Sequence, residues 1–417
     1  MGSRFHLVTL GCPKNQVDSD KLTGALLADG YQPASALDDA DLVVVNTCAF
    51  VEEARQESVD TILELAEARR PGARLVVTGC LAERSGAELA GAIPEIDEVA
   101  GFADAVPVTL GRRVDVPALD LLRLPRPAPS APWAYVKVAE GCDRACGFCA
   151  IPSFRGPQRS RATSEVLVEV EGLAAAGVRE VVLVAQDLVS YGRDQGVGTR
   201  QLVPLVEAAA ARVPWVRLLY VYPSDLSDDL ERVLCDVAVP YVDLSLQHVS
   251  RPLLRRMRRW GDGDRFLRRI DSIRSRRPDA AFRSNFIVGY PGETEADHDA
   301  LLAFVEQAQL DWCGFFAYSE EAGTYSAELD GKVPTGLVRE RLAELSERQD
   351  AITAAKRDEL VGSRVEVLVD EPGVARGHRE APEIDGVVAV PRDLPAGTFQ
   401  KVLVEAAEGP DLRAVLS

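Results

Sequence analysis

Residues 140–151 read EGCDRACGFCAI, and they hold three cysteines, Cys142, Cys146 and Cys149, in a C-x3-C-x2-C pattern. Cysteine thiolates hold iron–sulfur clusters, and a four-iron cluster takes four ligands. Three thiolates on one short loop would leave one iron without a protein ligand. An open coordination position is typical of a catalytic metal site rather than a structural one.

Two simpler interpretations of these cysteines are a zinc site and a disulfide with a spare thiol. Zinc loops usually carry a second Cys or His pair at ligand spacing. No such pair follows here, since the chain holds four His and His248 is the nearest one downstream. Residues 134–140 (AYVKVAE) form an apolar run typical of a strand, so the cysteines lie on a loop that leaves a strand. Spacing and context therefore favour an iron–sulfur cluster.

The loop also has an aromatic residue, Phe148, directly before its third cysteine. In this it resembles the loop of the radical S-adenosylmethionine (SAM) superfamily, C-x3-C-x-aromatic-C. The resemblance implies that Cys142, Cys146 and Cys149 hold a 4Fe-4S cluster, that SAM binds the open iron, and that Phe148 lies at the cofactor site.

The composition predicts an ordinary globular protein of two to three domains, with 417 residues, 47% hydrophobic and 27% charged. No run of 18 apolar residues occurs, so we expect no membrane span. The first residues, MGSRFHLVTL, lack the layout of a signal peptide, which favours a cytoplasmic location. Eight cysteines in that reducing compartment indicate metal ligation rather than disulfides.

The net charge of −18 argues against free RNA as the partner, because phosphate backbones repel an acidic chain. A basic protein is the favoured macromolecular partner. A strongly basic stretch, residues 251–277, holds 11 Arg against three Asp, which is typical of nucleic-acid binding. The alternative, two solvated helix faces, is favoured because charge runs are usually solvated.

Three further cysteines each follow a predicted strand in the first part of the chain, and a helical pattern follows each cysteine. Such alternation predicts a parallel sheet in an α/β domain. The carboxyl ends of parallel strands gather at one edge, so we expect these cysteines to converge in a second three-thiolate site. The alternative is three small buried hydrophobic side chains. The strands are residues 5–10 before Cys12, 42–46 before Cys48 and 75–78 before Cys80, and the helices are 19–28, 52–69 and 87–93.

Residues 123–132 (RLPRPAPSAP) hold four prolines, which predict a stiff connector and a domain boundary. After it, six strand–helix units predict a partial (β/α)6 barrel, with function at the carboxyl ends of its strands. The predicted strands are residues 134–139, 181–185, 216–222, 241–246, 281–288 and 314–318.

The last part of the chain predicts a long charged helix, residues 338–360, and then short strands at 365–369, 386–390 and 399–404. These indicate a small antiparallel β-barrel of the OB-like kind. Residues 359–417 hold 11 acidic and six basic residues, which suits docking of a basic protein better than RNA.

This arrangement resembles the methylthiotransferase family, which has an N-terminal domain with three cluster cysteines, a radical SAM core and a C-terminal TRAM domain. Residues 10–20, LGCPKNQVDSD, are similar to the LGCPKN-x-VDSE signature of the branch that modifies ribosomal protein S twelve. The branches that modify tRNA usually carry Gln-Met-Asn after this cysteine, whereas this chain has Pro13-Lys14-Asn15. The expected domains are residues 1–116, a linker 117–132, the core 133–357 and the TRAM domain 358–417.

The resemblance also implies which residues serve the cofactors. Cys12, Cys48 and Cys80 would hold an auxiliary 4Fe-4S cluster. The implied SAM contacts are Gln186 at the methionine end, Ser245 and Gln247 on the barrel interior, and Gly289, Tyr290 and Pro291 beside the adenine. The alternative is that these are capping and turn residues.

Several residues keep two interpretations. Lys14 places a positive charge near an anionic cluster or a carboxylate substrate, or it is a solvated loop lysine. Arg155 and its neighbours Arg159 and Arg161 bind a carboxylate or phosphate, or they form scaffold ion pairs. Cys235 and Cys313 lie in apolar runs and are assigned to packing.

The implied activity is the addition of a methylthio group to the β-carbon of an aspartate in ribosomal protein S twelve. SAM cleavage would give a 5′-deoxyadenosyl radical that takes a hydrogen from that carbon, and the auxiliary cluster would hold the sulfur. No protein acid or base is assigned, and the reductant would be a flavodoxin or ferredoxin. The alternatives are a tRNA adenosine methylthiotransferase and a non-catalytic iron–sulfur electron carrier or scaffold.

Overall fold

A computed structural model describes residues 3–101, 120–196 and 201–417. Its first unit is a five-stranded parallel sheet in the order β2-β1-β3-β4-β5, with helices following the strands. The central strand is buried along its whole length, as its LVVVNT sequence requires. The strands are β1 (Arg4–Thr9), β2 (Gln32–Pro33), β3 (Leu42–Thr47), β4 (Arg74–Gly79) and β5 (Glu98–Val99), and the helices are α1 (Pro13–Ala28), α2 (Glu52–Ala68) and α3 (Cys80–Ala92).

Helices α1 and α3 begin six and seven residues earlier than their apolar patterns predicted. Helix α1 starts at Pro13, because a proline at the first helical position has the φ that a helix needs. Its first turns hide from a search for apolar periodicity because they bury polar side chains, among them Asn15 and Asp18. Helix α3 has a non-helical residue, Ser85, just after its first turn, and this kink interrupts the helical periodicity.

The second unit is a partial barrel of six parallel strands, as predicted. Two three-stranded sheets, β10-β9-β6 and β11-β12-β13, are joined by a single bridge between Val221 and Leu244. The strands of this part are β6 (Trp133–Lys137), β7 (Ala139–Glu140), β8 (Arg159–Ser160), β9 (Glu180–Val184), β10 (Trp215–Leu218), β11 (Tyr241–Gln247), β12 (Ala281–Val288) and β13 (Trp312–Ala317). The helices are α4 (Ile151–Arg155), α5 (Thr163–Ala175), α6 (Leu202–Ala210), α7 (Asp228–Asp236), α8 (Arg251–Arg256), α9 (Gly263–Arg276) and α10 (Glu295–Ala308).

The third unit is a closed five-stranded barrel in the order β14-β15-β16-β18-β17, preceded by the long helix α11 (Thr335–Asp358). The prediction of three strands missed β15 and β18, each of which follows the preceding strand through a tight turn. The strands are β14 (Arg364–Glu371), β15 (Val374–Arg376), β16 (Val388–Ala389), β17 (Phe399–Glu408) and β18 (Asp411–Leu416).

Both outer units help to close the interior of the partial barrel. Its interior apolar cluster includes Tyr135 and Val182 from the barrel, Val17 from α1 and Ala381 from the C-terminal barrel. The Tyr135 hydroxyl donates to the carbonyl of Pro382 at 2.7 Å. The three units therefore share one continuous core at this point.

A buried ion network fixes the C-terminal barrel to the base of the partial barrel. Arg217 and Arg376 bind the two carboxylate oxygens of Glu180 at 2.6 and 2.8 Å, and all three side chains are buried. Arg217 also donates to the carbonyl of His378 at 2.9 Å. The loop that connects β15 to β16 is thus held by both charge and apolar contact.

The predicted domain division stays a prediction, and its first boundary, at residues 116–117, lies outside the described residues. No helix within the described part of the chain combines the length and the apolar character needed to cross a bilayer.

Candidate active site

The three N-terminal cysteines follow neighbouring strands and lie together at the carboxyl edge of their sheet. Cys12 caps the start of α1, Cys48 directly follows β3, and Cys80 is the first residue of α3. Asn15 connects them, since its Oδ1 accepts from the Cys80 thiol at 3.7 Å and its Nδ2 donates to the carbonyl of Thr47 at 2.9 Å. The structure therefore brings these cysteines together, and their role as ligands stays a prediction.

Two glycines allow the strand ends to approach so closely. Gly11 has φ of 93°, and a Cβ there would lie 2.7 Å from Cys48 Cβ and 2.9 Å from its Sγ. Gly79 has φ of 94°, and a Cβ there would lie 2.4 Å from Asn46 Oδ1. Only glycine suits both the left-handed backbone and the missing space. These three cysteines, here called the cradle, thus lie on a tightly packed sheet edge, and three thiolates are a donor set that a 4Fe-4S cluster takes.

The thiols of this cradle sit in different electrostatic surroundings. Burial raises the pKa of Cys48 to about 11, and burial also raises the pKa of Cys80. Burial opposes ionisation of Cys12 as well, but the Lys14 ammonium and the backbone N–H of Asn15 lower its pKa below the ordinary value. Buried thiols that hold their protons are poor nucleophiles, whereas a metal can displace those protons.

The second set of cysteines lies on a loop, residues 142–149, that is clamped at its middle. The N–H of Gly147 donates to the carbonyl of Met257, and the carbonyl of Gly147 accepts from the N–H of Ser326, both at 2.8 Å. A Cβ at Gly147 would lie 2.8 Å from the Tyr290 hydroxyl. These contacts fix the conformation of the loop backbone that carries Cys142, Cys146 and Cys149.

Two thiols of this loop also resist ionisation. Burial raises the pKa of Cys142 to about 11 and that of Cys149 to about 12. Within the described residues, no three His, Cys, Asp or Glu side chains are arranged around one ion. That arrangement is compatible with a cluster, in which each thiolate binds a different iron.

Sequence reasoning missed two arginines beside these cysteines, Arg259 outside the loop and Arg144 within it. Arg259 Nη1 donates to Cys146 Sγ at 3.4 Å, and its Nη2 donates to the carbonyl of Ser245. The Arg259 and Arg144 guanidinium groups lie 3.9 and 4.0 Å from the centroid of the same ring, that of Tyr222. Positive charge beside the thiols favours their ionised, metal-binding form.

Arg144 belongs to the loop itself and is held by acids at two strand ends. Its Nε donates to Asp187 and its Nη2 to Asp225, each at 2.5 Å. Asp187 lies two residues after one predicted strand, and Asp225 lies three residues after the next one. Their position past a strand was the signal that could have found them.

Gln186 is a predicted SAM contact whose side-chain oxygen could accept a hydrogen bond from a ligand. Its Nε2 donates to Glu140 Oε1 at 2.8 Å, while its own Oε1 is buried and has no hydrogen-bond partner among the described residues. A buried acceptor without a donor is costly, so it indicates a group that arrives with a ligand. The ammonium of SAM would supply such a donor.

Tyr290, Gly289 and Pro291 form the turn after β12, next to the cysteine loop. The Tyr290 hydroxyl donates to the carbonyl of Arg256 at 3.0 Å, and the N–H of Gly289 donates to Glu293 at 2.6 Å. Gly289 has φ of 83°, and Pro291 is buried. These residues make structural hydrogen bonds, as the capping and turn interpretation predicts. Tyr290 also lies against Gly147 of the cysteine loop.

The other predicted contacts are placed less directly. Ser245 is tied to the loop through Arg259, as described above, and Phe148 is half-buried against the barrel core. Gln247 ends β11 with φ of 71°, and no side-chain hydrogen bond ties it to the loop in the described part of the chain. Their contact with SAM stays a prediction.

A buried ion network joins the two sets of cysteines. Arg155, at the end of α4, donates through Nη2 to Cys80 Sγ at 3.1 Å. Its Nη1 lies 3.0 Å from Glu140 and 3.1 Å from Asp18 of α1. Lys137 of β6 binds Asp18 at 2.9 Å and also pairs with Glu140. Of the two interpretations of Arg155, the structure gives the ion pairs, and they cross from one unit to the other.

Glu140 is the acid at the centre of that network and directly precedes the cysteine loop. Burial opposes its ionisation, yet Arg155 and Lys137 lower the pKa of Glu140 to about 2. It is therefore a structural carboxylate at neutral pH and not a proton donor.

In the described part of the chain, five of the eleven arginines of the stretch 251–277 pair with an acid, and others donate to backbone carbonyls. Most of its arginines have partners, among them Arg269 with Glu231, Arg276 with Asp236, Arg277 with Asp279 and Arg274 with the carbonyl of Gln309. These pairs favour the interpretation as helix faces over a nucleic-acid surface.

Comparison with known proteins places each unit. The family model described as uncharacterized protein family UPF0004 matches residues 4–101, the radical SAM superfamily model matches residues 136–305, and the TRAM domain model matches residues 361–416. Among solved structures, the radical SAM methyltransferase TsrM of Kitasatospora setae, with cobalamin and a 4Fe-4S cluster bound, superposes with a TM-score of 0.55. It is 15% identical, over 95% of this chain and 84% of its own, which shows a shared fold alone.

The curated relatives are closer and cover nearly the full chain. A protein of Moorella thermoacetica named ribosomal protein uS12 methylthiotransferase RimO is 44% identical over 96% of each chain. The RimO of Chloroflexus aurantiacus is 40% identical over 98% of each chain. Identity at this level along both lengths, with the three matched domains in order, means that the chain belongs to the RimO family of radical SAM methylthiotransferases.

Proposed function

We propose that this chain adds a methylthio group to the β-carbon of an aspartate in ribosomal protein uS12. The observation that carries the proposal is the pairing of two three-cysteine sites through one buried network at Arg155. The names of the relatives supply the substrate. The tripeptide Pro13-Lys14-Asn15 supports the protein-modifying branch over the tRNA-modifying ones.

Membership of the radical SAM superfamily implies SAM and 4Fe-4S clusters as cofactors. In our proposal Cys142, Cys146 and Cys149 hold the cluster that binds SAM, and the cradle formed by Cys12, Cys48 and Cys80 holds the auxiliary one. When bound, these groups would supply the radical, the sulfur and the methyl group.

The chain itself supplies position and seclusion. Arg155, Glu140, Lys137 and Asp18 fix the N-terminal sheet over the barrel mouth, so the two sites keep a constant separation. Cys48 and Cys142 are buried, which keeps water from the sulfur atoms. The orphaned acceptor of Gln186 would orient SAM. No side chain is assigned as a general acid or base.

The acidic surface is suited to a basic protein substrate. The net charge is −18, and five of the eleven arginines in the stretch that argued for RNA pair with acids of this chain. Opposite charge steers such a partner toward the enzyme. We further propose a cytoplasmic location, a flavodoxin or ferredoxin as reductant, and uS12 either free or on the ribosome.

The decisive experiment is an anaerobic competition between substrates. Reconstituted protein, SAM and reductant are given a peptide from the uS12 aspartate loop together with bulk tRNA, and both are read by mass spectrometry. We expect a methylthio group on the peptide alone. The same group on a tRNA adenosine would overturn the choice of substrate.

Cysteine variants separate an enzyme from a passive carrier of clusters. Cys142→Ala should abolish formation of 5′-deoxyadenosine, while Cys48→Ala should retain it and lose sulfur insertion. Cys313→Ala is the matched control, because Cys313 packs against the barrel core away from both sites. Absence of 5′-deoxyadenosine from the parent protein would favour the electron carrier.

A further inference from the structure

The Lys14 side chain extends from the N-terminal unit, so its positive charge lies at the mouth of the barrel. It lies in the first turn of α1, two residues after Cys12. Its Nζ is 3.7 Å from the centroid of the Tyr220 ring. Tyr220 follows β10, so this contact is at the carboxyl end of the barrel strands, where substrates bind in such barrels.

The Lys14 ammonium has no carboxylate partner among the described residues, unlike the cations around it. Lys137 pairs with Asp18, Arg155 pairs with Glu140, and Lys21 pairs with Glu169 at 3.0 Å. A partly buried cation that has only the Cys12 thiol and the Tyr220 ring beside it, and no carboxylate, is costly. The pattern therefore indicates a place reserved for an incoming anion.

The acid that contacts Tyr220 is already engaged. Asp243 Oδ2 accepts the backbone N–H of Tyr220 at 2.9 Å, and its Oδ1 accepts from Arg283 at 3.3 Å. The Tyr220 ring occupies one side of the ammonium through a cation–π contact, which leaves N–H donors of Lys14 for a ligand. The Tyr220 hydroxyl makes no hydrogen bond with the part of the chain that the structure describes, so it is a further donor at the same place.

The backbone of Tyr220 also points to function. Its φ of 64° is a left-handed conformation that a bulky residue rarely adopts. Such strain persists where the surrounding structure requires a particular side-chain position. Here it holds the ring under the Lys14 ammonium.

We propose that Lys14 binds the side-chain carboxylate of the substrate aspartate and selects a carboxylate-bearing residue at the site of modification. This inference rests on the proposed function. The β-carbon that receives the methylthio group is bonded directly to that carboxylate carbon. A cation that fixes the carboxylate next to Cys12 at the barrel mouth therefore also fixes the reacting carbon between the two cysteine sites.

The rival explanation is that Lys14 only balances the charge of an auxiliary cluster. The two ideas differ in what a charge-free side chain would change. Loss of a carboxylate contact alters discrimination between aspartate and asparagine in the peptide, whereas loss of charge balance alters the auxiliary cluster and leaves that discrimination intact.

The test uses full-length reconstituted protein and two labelled uS12-loop peptides, one with Asp and one with Asn at the modified position. Binding is measured by fluorescence anisotropy under anaerobic conditions with SAM and without reductant. The parent protein should prefer the Asp peptide by about 10- to 100-fold, the range of a charged hydrogen bond. Lys14→Gln should bind both peptides alike, through weaker binding of the Asp peptide alone, and Lys14→Arg should keep part of the preference.

Controls separate this effect from damage to the fold or the clusters. Lys332→Gln removes an exposed lysine that pairs with Glu320 and should leave the preference unchanged. Iron content and the electron paramagnetic resonance spectrum show whether Lys14→Gln retains both clusters.

Retention of the Asp preference in Lys14→Gln, with or without a change in the spectrum, would overturn the inference. Equal weakening for both peptides would overturn it too. Failure of the parent protein to modify the Asp peptide would instead overturn the proposed function, so the two failures are distinguishable.

Discussion

Replacing Arg155 with methionine should weaken the contact between the N-terminal unit and the barrel by about 3–5 kcal/mol, the usual cost of breaking a buried ion pair. The Arg155, Asp18 and Glu140 side chains are only 3, 2 and 7% exposed, so water cannot replace the lost contacts. Without the guanidinium, two carboxylates share the single ammonium of Lys137. One negative charge is then buried without compensation.

Hydrogen exchange of the α1 backbone amides is a direct assay of this contact, because α1 supplies Asp18. A loss of about 3–5 kcal/mol corresponds to exchange faster by about two to four orders of magnitude, at 1.36 kcal/mol for each factor of ten. Arg74→Met is the matched control. Arg74 pairs with Glu98 on the surface of the same unit, with both side chains more than 40% exposed, and such pairs contribute little.

A double-mutant cycle makes the reasoning refutable. Glu140→Gln removes one of the stranded charges, so the combination with Arg155→Met should cost less than the two single changes together. Exchange in Arg155→Met that matches the Arg74→Met control would show that the network does not hold the two units together. Strict additivity would show that Arg155 and Glu140 act independently.

Three further predictions concern other contacts. Gly11→Ala forces a methyl group to 2.9 Å from Cys48 Sγ on a backbone at φ 93°, so iron analysis should give about four rather than about eight atoms per chain, and a full complement would contradict this. Burial raises the pKa of Asp385 from 3.8 to about 6, so the folded state holds the proton more tightly than the unfolded state. The contact between this loop and Tyr241 of the barrel therefore loses stability as pH rises through that range. Hydrogen exchange of the Asp385 backbone amide, corrected for intrinsic rates, should be slower at about pH 5 than at pH 7. Asp385→Asn should remove the difference, and a parent protein with no such difference would refute the raised pKa of Asp385. Tyr290→Phe removes the hydrogen bond to the Arg256 carbonyl, worth about 1 kcal/mol, so a chelator should extract iron about fivefold faster, and an unchanged rate would show that the loop does not depend on it.

The sequence was informative where a pattern is local. Each N-terminal cysteine directly follows an apolar strand, and parallel strands end at one edge, so convergence of Cys12, Cys48 and Cys80 follows from topology. The same reasoning located the cysteine loop at the end of the first barrel strand. The three-unit architecture followed from strand–helix alternation and the proline-rich connector.

The contacts that join the units could not be predicted in the same way. Arg155 and Arg161 lie in one motif, yet Arg155 reaches Cys80 while Arg161 pairs with Glu169. Asp18 meets Lys137 across more than a hundred residues of chain. Such pairings depend on how two finished surfaces meet, and no periodicity records it. The same polar first turns of α1 that make these contacts also hid the start of that helix.

The salt bridges of Glu180 with Arg217 and Arg376 bear on how portable the last domain is. Here its connecting loop is an integral part of the barrel floor, since the carbonyls of His378 and Pro382 satisfy barrel side chains. A replacement domain whose connecting loop follows another path would leave the Arg217 guanidinium and the Tyr135 hydroxyl without these acceptors. The loop that carries them therefore belongs with the barrel in any exchange of the domain.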